Sequence, residues 1–351
     1  MRNNYFLFLT TFIISFSLKT QTTLQLSNTQ KSKLVLFGFG DLYFGKHIGG
    51  YKNKEDFYYN HKVNNKLRTN LLLIKGEFSS SRFHATLGLM TGDYSKYNLA
   101  SEPTWAKPLN EAFVGYKVLK NHNLWWDVGV YSSFIGIESS ISSDCPTLTR
   151  SIVAENSPYF FSGTRLMFAS QNSKNELGFH VLNGWQRIYW DSGIKKPSFG
   201  AHYKRRINDN TSFMYGLFYG SIYSDSLSIK RFYQHANINW KKKKLETWGT
   251  LDFGIESGFV WGSAQIMANY TFNPHWSVSQ RLEIYYDPNN RCALIDQTKE
   301  TSIGGYSICT NYAINKNILF RFEPKFLMAT ESILKDKDWD LQFNLGLGVK
   351  F

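Results

Sequence analysis

The last thirteen residues, Trp339-Asp-Leu-Gln-Phe-Asn-Leu-Gly-Leu-Gly-Val-Lys-Phe351, decide the fold. Every odd position is apolar: Trp339, Leu341, Phe343, Leu345, Leu347, Val349 and Phe351. The even positions are Asp340, Gln342, Asn344, Gly346, Gly348 and Lys350. Side chains alternate across a β-strand, so this segment has one wholly apolar face and one polar or small face. A helix would scatter the same residues around its axis.

The same period recurs upstream. Trp276, Val278, Leu282, Ile284 and Tyr286 oppose Ser277, Ser279, Arg281, Glu283 and Tyr285. Ile318, Phe320, Phe322 and Phe326 oppose Arg321, Glu323 and Lys325; Phe83, Ala85, Leu87 and Leu89 oppose Arg82, His84 and Thr86. Segments of about ten alternating residues, repeated along a chain, are the mark of a transmembrane barrel. A soluble sandwich also alternates, with its apolar set facing a core. Two terminal features separate the two. At the C-terminus, a Phe that closes an alternating strand looks like the signal by which the assembly machinery recognises outer-membrane barrels. At the N-terminus, Arg2 precedes an uncharged, mostly apolar run from Tyr5 to Ser17, followed by small or polar residues. That is the pattern of a secretory signal peptide over residues 1–21, with residues 22–351 as one barrel domain. The run is shorter than the roughly 20 apolar residues a spanning helix needs.

Composition agrees. Mean hydropathy is −0.34, and no later stretch has the 18 or more consecutive apolar residues of a spanning helix. Aromatics make up 17% of the chain, with 26 Gly and 8 Pro, a balance that favours strands. No linker or composition shift divides the chain. Strand centres near residues 38, 70, 87, 115, 129, 165, 180, 202, 216, 235, 250, 266, 281, 307, 322 and 345 give an all-β, antiparallel, up-and-down transmembrane barrel of about sixteen strands. Short connections rich in Asn and Ser alternate with long ones at 45–65, 93–109, 137–158, 189–197 and 289–301. The connection near Ser257 is short where a long one is due, and fourteen strands is the alternative count. Trp126, Trp240, Trp276, Tyr270, Tyr286 and Trp339, near strand ends, suit the aromatic girdles of a membrane barrel.

The formal charge is +13. It is spread along alternating strand positions rather than gathered in one tract, which speaks against nucleic acid. The three cysteines, Cys145, Cys292 and Cys309, have no metal-ligand spacing. Free thiols are expected, and a Cys145–Cys292 bond is the alternative. The eight histidines lie in no catalytic arrangement, and no phosphate-binding glycine motif opens a helix. No catalytic residue, cofactor or metal is expected.

The middle of the chain resembles the OmpL-like β-barrel porin family. The resemblance is carried by Asn110-Glu-Ala-Phe-Val-Gly-Tyr116, Ile135-Gly-Ile-Glu-Ser-Ser-Ile141, Thr147-Leu-Thr-Arg-Ser151, Ser157-Pro-Tyr159 and Val181-Leu-Asn-Gly-Trp-Gln186. It implies an outer-membrane porin that passes small hydrophilic solutes, touching outer-membrane lipids and, through its terminal strand, the barrel assembly machinery. Strand parity assigns Arg68, Arg82, Glu111, Lys117, Lys204, Arg206, Arg231, Arg281, Glu283, Arg321, Glu323 and Lys325 to the pore lining. The excess of cations among them points to weak anion preference. By analogy with general porins, the loop 137–158 narrows the pore, with Glu138, Asp144, Arg150 and Glu155 at the constriction; the alternative is that these four are surface loop charges. The other reading is a non-conducting barrel that serves as a structural or adhesion platform through its loops.

Overall fold

The computed structural model describes residues 22–27, 32–190, 193–222, 229–293, 300–334 and 337–351. The N-terminal segment read as a signal peptide lies outside the described residues. Seventeen strands follow in order: β1 (Thr22–Ser27), β2 (Ser32–His47), β3 (Leu67–Ser79), β4 (Phe83–Thr91), β5 (Leu109–Lys117), β6 (Asn123–Ser132), β7 (Phe160–Ala169), β8 (Asn175–Leu182), β9 (Ser198–Arg206), β10 (Thr211–Ser221), β11 (Lys230–Lys242), β12 (Leu245–Glu256), β13 (Phe259–Thr271), β14 (Trp276–Asp287), β15 (Thr301–Asn315), β16 (Ile318–Ala329) and β17 (Trp339–Lys350). Among the described residues helix is confined to two short pieces, α1 (Asp93–Asn98) and α2 (Ile152–Asn156), and one 3-10 turn at Ser142–Asp144.

Strands β2 to β17 each pair antiparallel with the next, and β17 returns to β2 in the register Gln342↔His47 through Lys350↔Phe39. The sheet is thus closed at sixteen strands. Closure leaves no lipid-exposed edge of unpaired backbone groups, the condition for spanning hydrocarbon. β1 was not foreseen from the sequence. It pairs with the start of β2, Thr22↔Leu36 to Ser27↔Ser32, beyond the end of β17. The last residue is bound into the seam: Phe351 and Gly38 exchange two backbone hydrogen bonds of 3.0–3.1 Å. A Cβ at Gly38 would meet the Phe351 ring at 2.1 Å, so a side chain there would displace that ring.

The outer face is apolar across the middle of the strands. Leu251 and Ile266 are each 64% exposed, and Leu282 and Ile284 more than half. A belt of this kind would drive aggregation in water, so its solvent is lipid. Trp126, Trp240, Trp276, Tyr270, Tyr286 and Trp339 all lie on this face near strand ends. At one end the turns are local and short. Asn172, Asn208, Asn273 and Asn315 each fold the side-chain oxygen back onto backbone N–H groups two or three residues on, the Asx-turn habit of asparagine. The connections at the other end are long, with one exception. Ser257 and Gly258, at φ 51° and 84°, form a two-residue hairpin between β12 and β13. Two left-handed central residues suit the type I′ turn that matches strand twist. The short connection near Ser257 is therefore real, and sixteen is the count. Cys145, Cys292 and Cys309 are all free thiols.

Candidate functional site

The barrel interior is the candidate site, and two loops occupy much of it. The connection 133–159 leaves β6, turns at Gly136 (φ +79°) and runs down inside the wall. It carries its own order: Ser151 caps α2 by accepting from the Ala154 N–H at 3.2 Å. Arg150 holds the loop's shape from within, donating to the carbonyls of Ser139, Leu148 and Ser140 at 2.7, 2.6 and 3.1 Å.

The wall grips this loop through charges that alternation had already placed inside. Arg281 on β14 donates to Thr147 Oγ1, the Thr149 carbonyl and Glu138 Oε1 at 2.7, 2.7 and 3.2 Å. Arg321 on β16 donates to the carbonyls of Ser142, Cys145 and Pro146 at 2.7, 3.0 and 2.7 Å. Glu323 accepts from the Thr149 N–H and hydroxyl at 2.6 and 2.7 Å, and Glu283 from the Ile152 N–H at 2.7 Å. Lys325 joins Glu283 at 3.0 Å and donates to the Arg150 carbonyl at 3.0 Å. All five wall groups are buried. Buried ions are costly unless paired and hydrogen-bonded, and here the loop's backbone supplies many of the missing partners.

The second loop, 48–66, closes over the first from the end bearing the long connections. Lys54 donates to Asn344 Oδ1 at 2.5 Å, and His61 Nε2 lies 3.0 Å from Asp41. Glu155 ties the two loops together, accepting from the N–H groups of Tyr59 and Asn60 at 2.8 and 3.0 Å. Burial pushes the Glu155 carboxyl up. Burial, and after it the Lys325 ammonium, push the Lys54 amine down to about 8. Beneath this mouth lies an apolar cluster including Phe57, Tyr58, Phe134, Phe161, Tyr233 and Trp261. Much of the interior at that end is filled by side chains, as a loop folded into the barrel requires. The charged wall positions find many of their partners in loop atoms 130 to 180 residues away in sequence.

Open space remains beside β2, β3, β5 and β6. A cavity of about 220 Å³ lies between loop residues 135–141 and Lys75, Asn110, Glu111 and Ser132. Lys75 and Ile141 also line a second cavity of about 530 Å³, with Glu77, Asp144, Lys316 and Lys350, beside the short turns. Lys75 lies 2.9 Å from Glu77 and 3.2 Å from Glu111, so cation and acids are interleaved. A third space of about 330 Å³, at the other end, is lined by Tyr59, Tyr97, Glu155, Trp185 and Gln186, among others.

The expected lining residues fall into three groups. Arg281, Glu283, Arg321, Glu323 and Lys325 are on the inner wall but bind the loop. Arg68, Glu111, Lys117, Lys204, Arg206 and Arg231 are on inner-face positions around the rest of the barrel. Arg68 pairs with Asp93, Lys204 with Glu176 at 3.1 Å, and Arg231 with Glu256 at 2.7 Å. Arg82 is the exception. It lies in the turn before β4, with its guanidinium 4.8 Å over the ring of outward-facing Tyr116. Cation–π contact with an outer-face ring draws it away from the lumen. Of the loop candidates, Glu138, Arg150 and Glu155 are buried in the interior, while Asp144 is exposed at the larger cavity. Lys75 and Lys54 were missed. Lys75 could have been found by parity on β3, but a bulge at Asp41/Leu42 shifts that strand's phase against β2. Among the described residues, His47, Glu55 and Asp340 bring three possible ligand atoms within 4.8 Å of one another. Lys54 acts electrostatically on Asp340, so positive charge already serves that group.

Comparison with known proteins agrees with this architecture. A search of curated sequences finds no match. The chain superposes on OmpF of Salmonella typhi in complex with daunomycin, with TM-score 0.66 and 11% identity over 93% of this chain and 100% of that one. It also superposes on an anion-selective porin from Comamonas acidovorans, TM-score 0.59 and 11% identity over 91% and 100%. OmpT of Vibrio cholerae gives TM-score 0.56 and 8% identity over 91% and 98%. At such identities the likeness is one of fold. The family model described as "Putative beta-barrel porin-2, OmpL-like" matches residues 33–351. With nearly the whole strand-forming chain matched, the protein belongs to the OmpL-like β-barrel porins and is an outer-membrane porin.

Proposed function

We propose that the protein is a channel for passive diffusion of small hydrophilic solutes, narrowed along its length by the loop 133–159. The observation that carries this is where the loop leaves space. Most of its hydrogen bonds and ion pairs to the wall run to β14 and β16, while two cavities that share Lys75 and Ile141 remain beside β2, β3, β5 and β6. Their polar lining, Lys75, Glu77, Glu111, Asp144 and Lys350, suits hydrated solutes. Nearly balanced charge there implies modest selectivity. Weak anion preference would come from the basic groups around the short turns rather than from Arg281 and Arg321, which are spent on the loop. No catalysis is assigned to the interior histidines.

Liposome swelling with neutral sugars of graded size tests the channel. Small sugars should enter and larger ones be excluded, with the cut-off moving up when Ser142–Leu148 are deleted. No size-dependent entry by either protein would refute it. We further propose that residues 1–21 direct export and that the strand ending at Phe351 is offered to the assembly machinery.

The non-conducting platform has one observation in its favour, the apolar packing beneath the long loops. It predicts no swelling before the loop is removed, and swelling after.

A further inference from the structure

The basic excess looks dispersed in the sequence, but the hairpins gather it at one end of the barrel. The short turns and adjoining strand ends, 80–82, 117–123, 170–176, 204–211, 240–246, 272–276 and 315–317, hold twelve Lys and Arg against three acids. The connections at the other end, 48–66, 92–108, 133–159, 183–197, 222–229, 257–258, 288–300 and 330–338, hold fourteen of each. The formal excess of the membrane domain is thus concentrated on the rim of short turns. In an outer-membrane barrel that rim faces the periplasm.

Part of the rim points outward. Lys242 follows Ile238 and Trp240 on the outer parity of β11, and Arg205 follows Phe199 on that of β9. Arg82 stacks on the outer ring of Tyr116, which pairs across strands with Trp126. These cations sit beside the girdle residues Trp126 and Trp240, at the depth where lipid headgroups meet hydrocarbon. The turns are too short to carry them far from that depth; β11 and β12 are joined by Lys243 and Lys244 alone. Lys243 adopts φ +54°, a conformation usually left to Gly or Asn. A turn of four consecutive lysines, one of them strained, is a poor choice for hairpin stability alone.

We propose that this rim binds the anionic headgroups of phospholipids in the periplasmic leaflet of the outer membrane. Anionic lipid attracts basic side chains close to the membrane surface, and the attraction fades within about a Debye length, roughly 8 Å at physiological salt. The outward set beside the girdle is the part placed to feel it.

The test is quenching of tryptophan emission by brominated lipids, with the full mature chain reconstituted in phosphatidylcholine and phosphatidylglycerol mixtures. The unmodified protein should prefer the anionic lipid roughly 3- to 10-fold at low salt, falling toward parity as salt rises. The Arg82→Gln/Arg205→Gln/Lys242→Gln variant should lose most of that preference. The variant Lys204→Gln/Arg206→Gln/Lys241→Gln, on inner-face positions of the same rim, should keep it. Equal affinity for both lipids in the unmodified protein, or equal loss in both variants, would overturn the proposal. So would salt-sensitive retention on purified peptidoglycan without lipid preference, which would assign the rim to an acidic wall polymer. The salt titration of the unmodified protein requires no variant to fold.

Discussion

At the residue scale, parity decides which solvent a side chain meets. Leu345, at mid-strand on β17, faces lipid, so Leu345→Arg should cost about 2–4 kcal/mol in vesicle-based folding measurements. Thr86→Arg, at mid-strand on the inner face of β4 opposite Glu77, should cost far less. Equal costs would mean that the faces are reversed. Gln342, which alternation also puts inside, is not a free position: it is fully buried beside Asp340. Lys54 offers a pH test. Its amine falls from 10.5 to about 8 because burial disfavours the charge. Between pH 8 and 10.5 the unfolded chain holds the extra proton, so stability from this group rises with pH across that window. Below 8 both states are protonated and the penalty is fully present. Lys54→Met should therefore melt higher than the unmodified protein at pH 7, with the gap shrinking toward pH 10.5. A gap constant across that range would show that the lysine is not desolvated.

At the scale of elements, the strands were legible and the loops were not. Alternation is a local property, and so are the Asn turns; together they located sixteen strands and the two-residue hairpin at Ser257. β1 escaped notice because its six residues lie against the presumed leader. The facing of Arg281, Glu283, Arg321 and Glu323 could be read from their two-residue spacing. What they face could not, since Thr147, Thr149 and Ser142 lie far off in sequence and bind largely through backbone groups that no sequence pattern marks. The loop's attachment is testable. Arg281→Ala would leave Glu138, Glu283 and Glu323 short of a cation in a buried setting, a loss of about 3–5 kcal/mol. Open-channel current noise should rise as the loop loosens, and midpoints in denaturant should fall. A quiet, equally stable variant would show that the loop is held by its apolar contacts alone.

At the scale of the whole molecule, a closed antiparallel wall solves the backbone problem in lipid, and the interior is then free to specialise. Here much of the wall is used to anchor a loop, one end is packed with aromatics, and charged cavities are left beside β2, β3, β5 and β6. The sequence carried the wall almost completely, because lipid imposes a strict period on it. It carried the cavities poorly, because they are what remains after loops have folded in. Single-channel recording of the purified protein in planar bilayers, beside the variant lacking Ser142–Leu148, tests this most directly. The account predicts small, discrete conductance steps for the intact protein and steps several-fold larger for the deletion. Conductance that is the same in both, with the variant correctly folded, or no conductance from either, would contradict it.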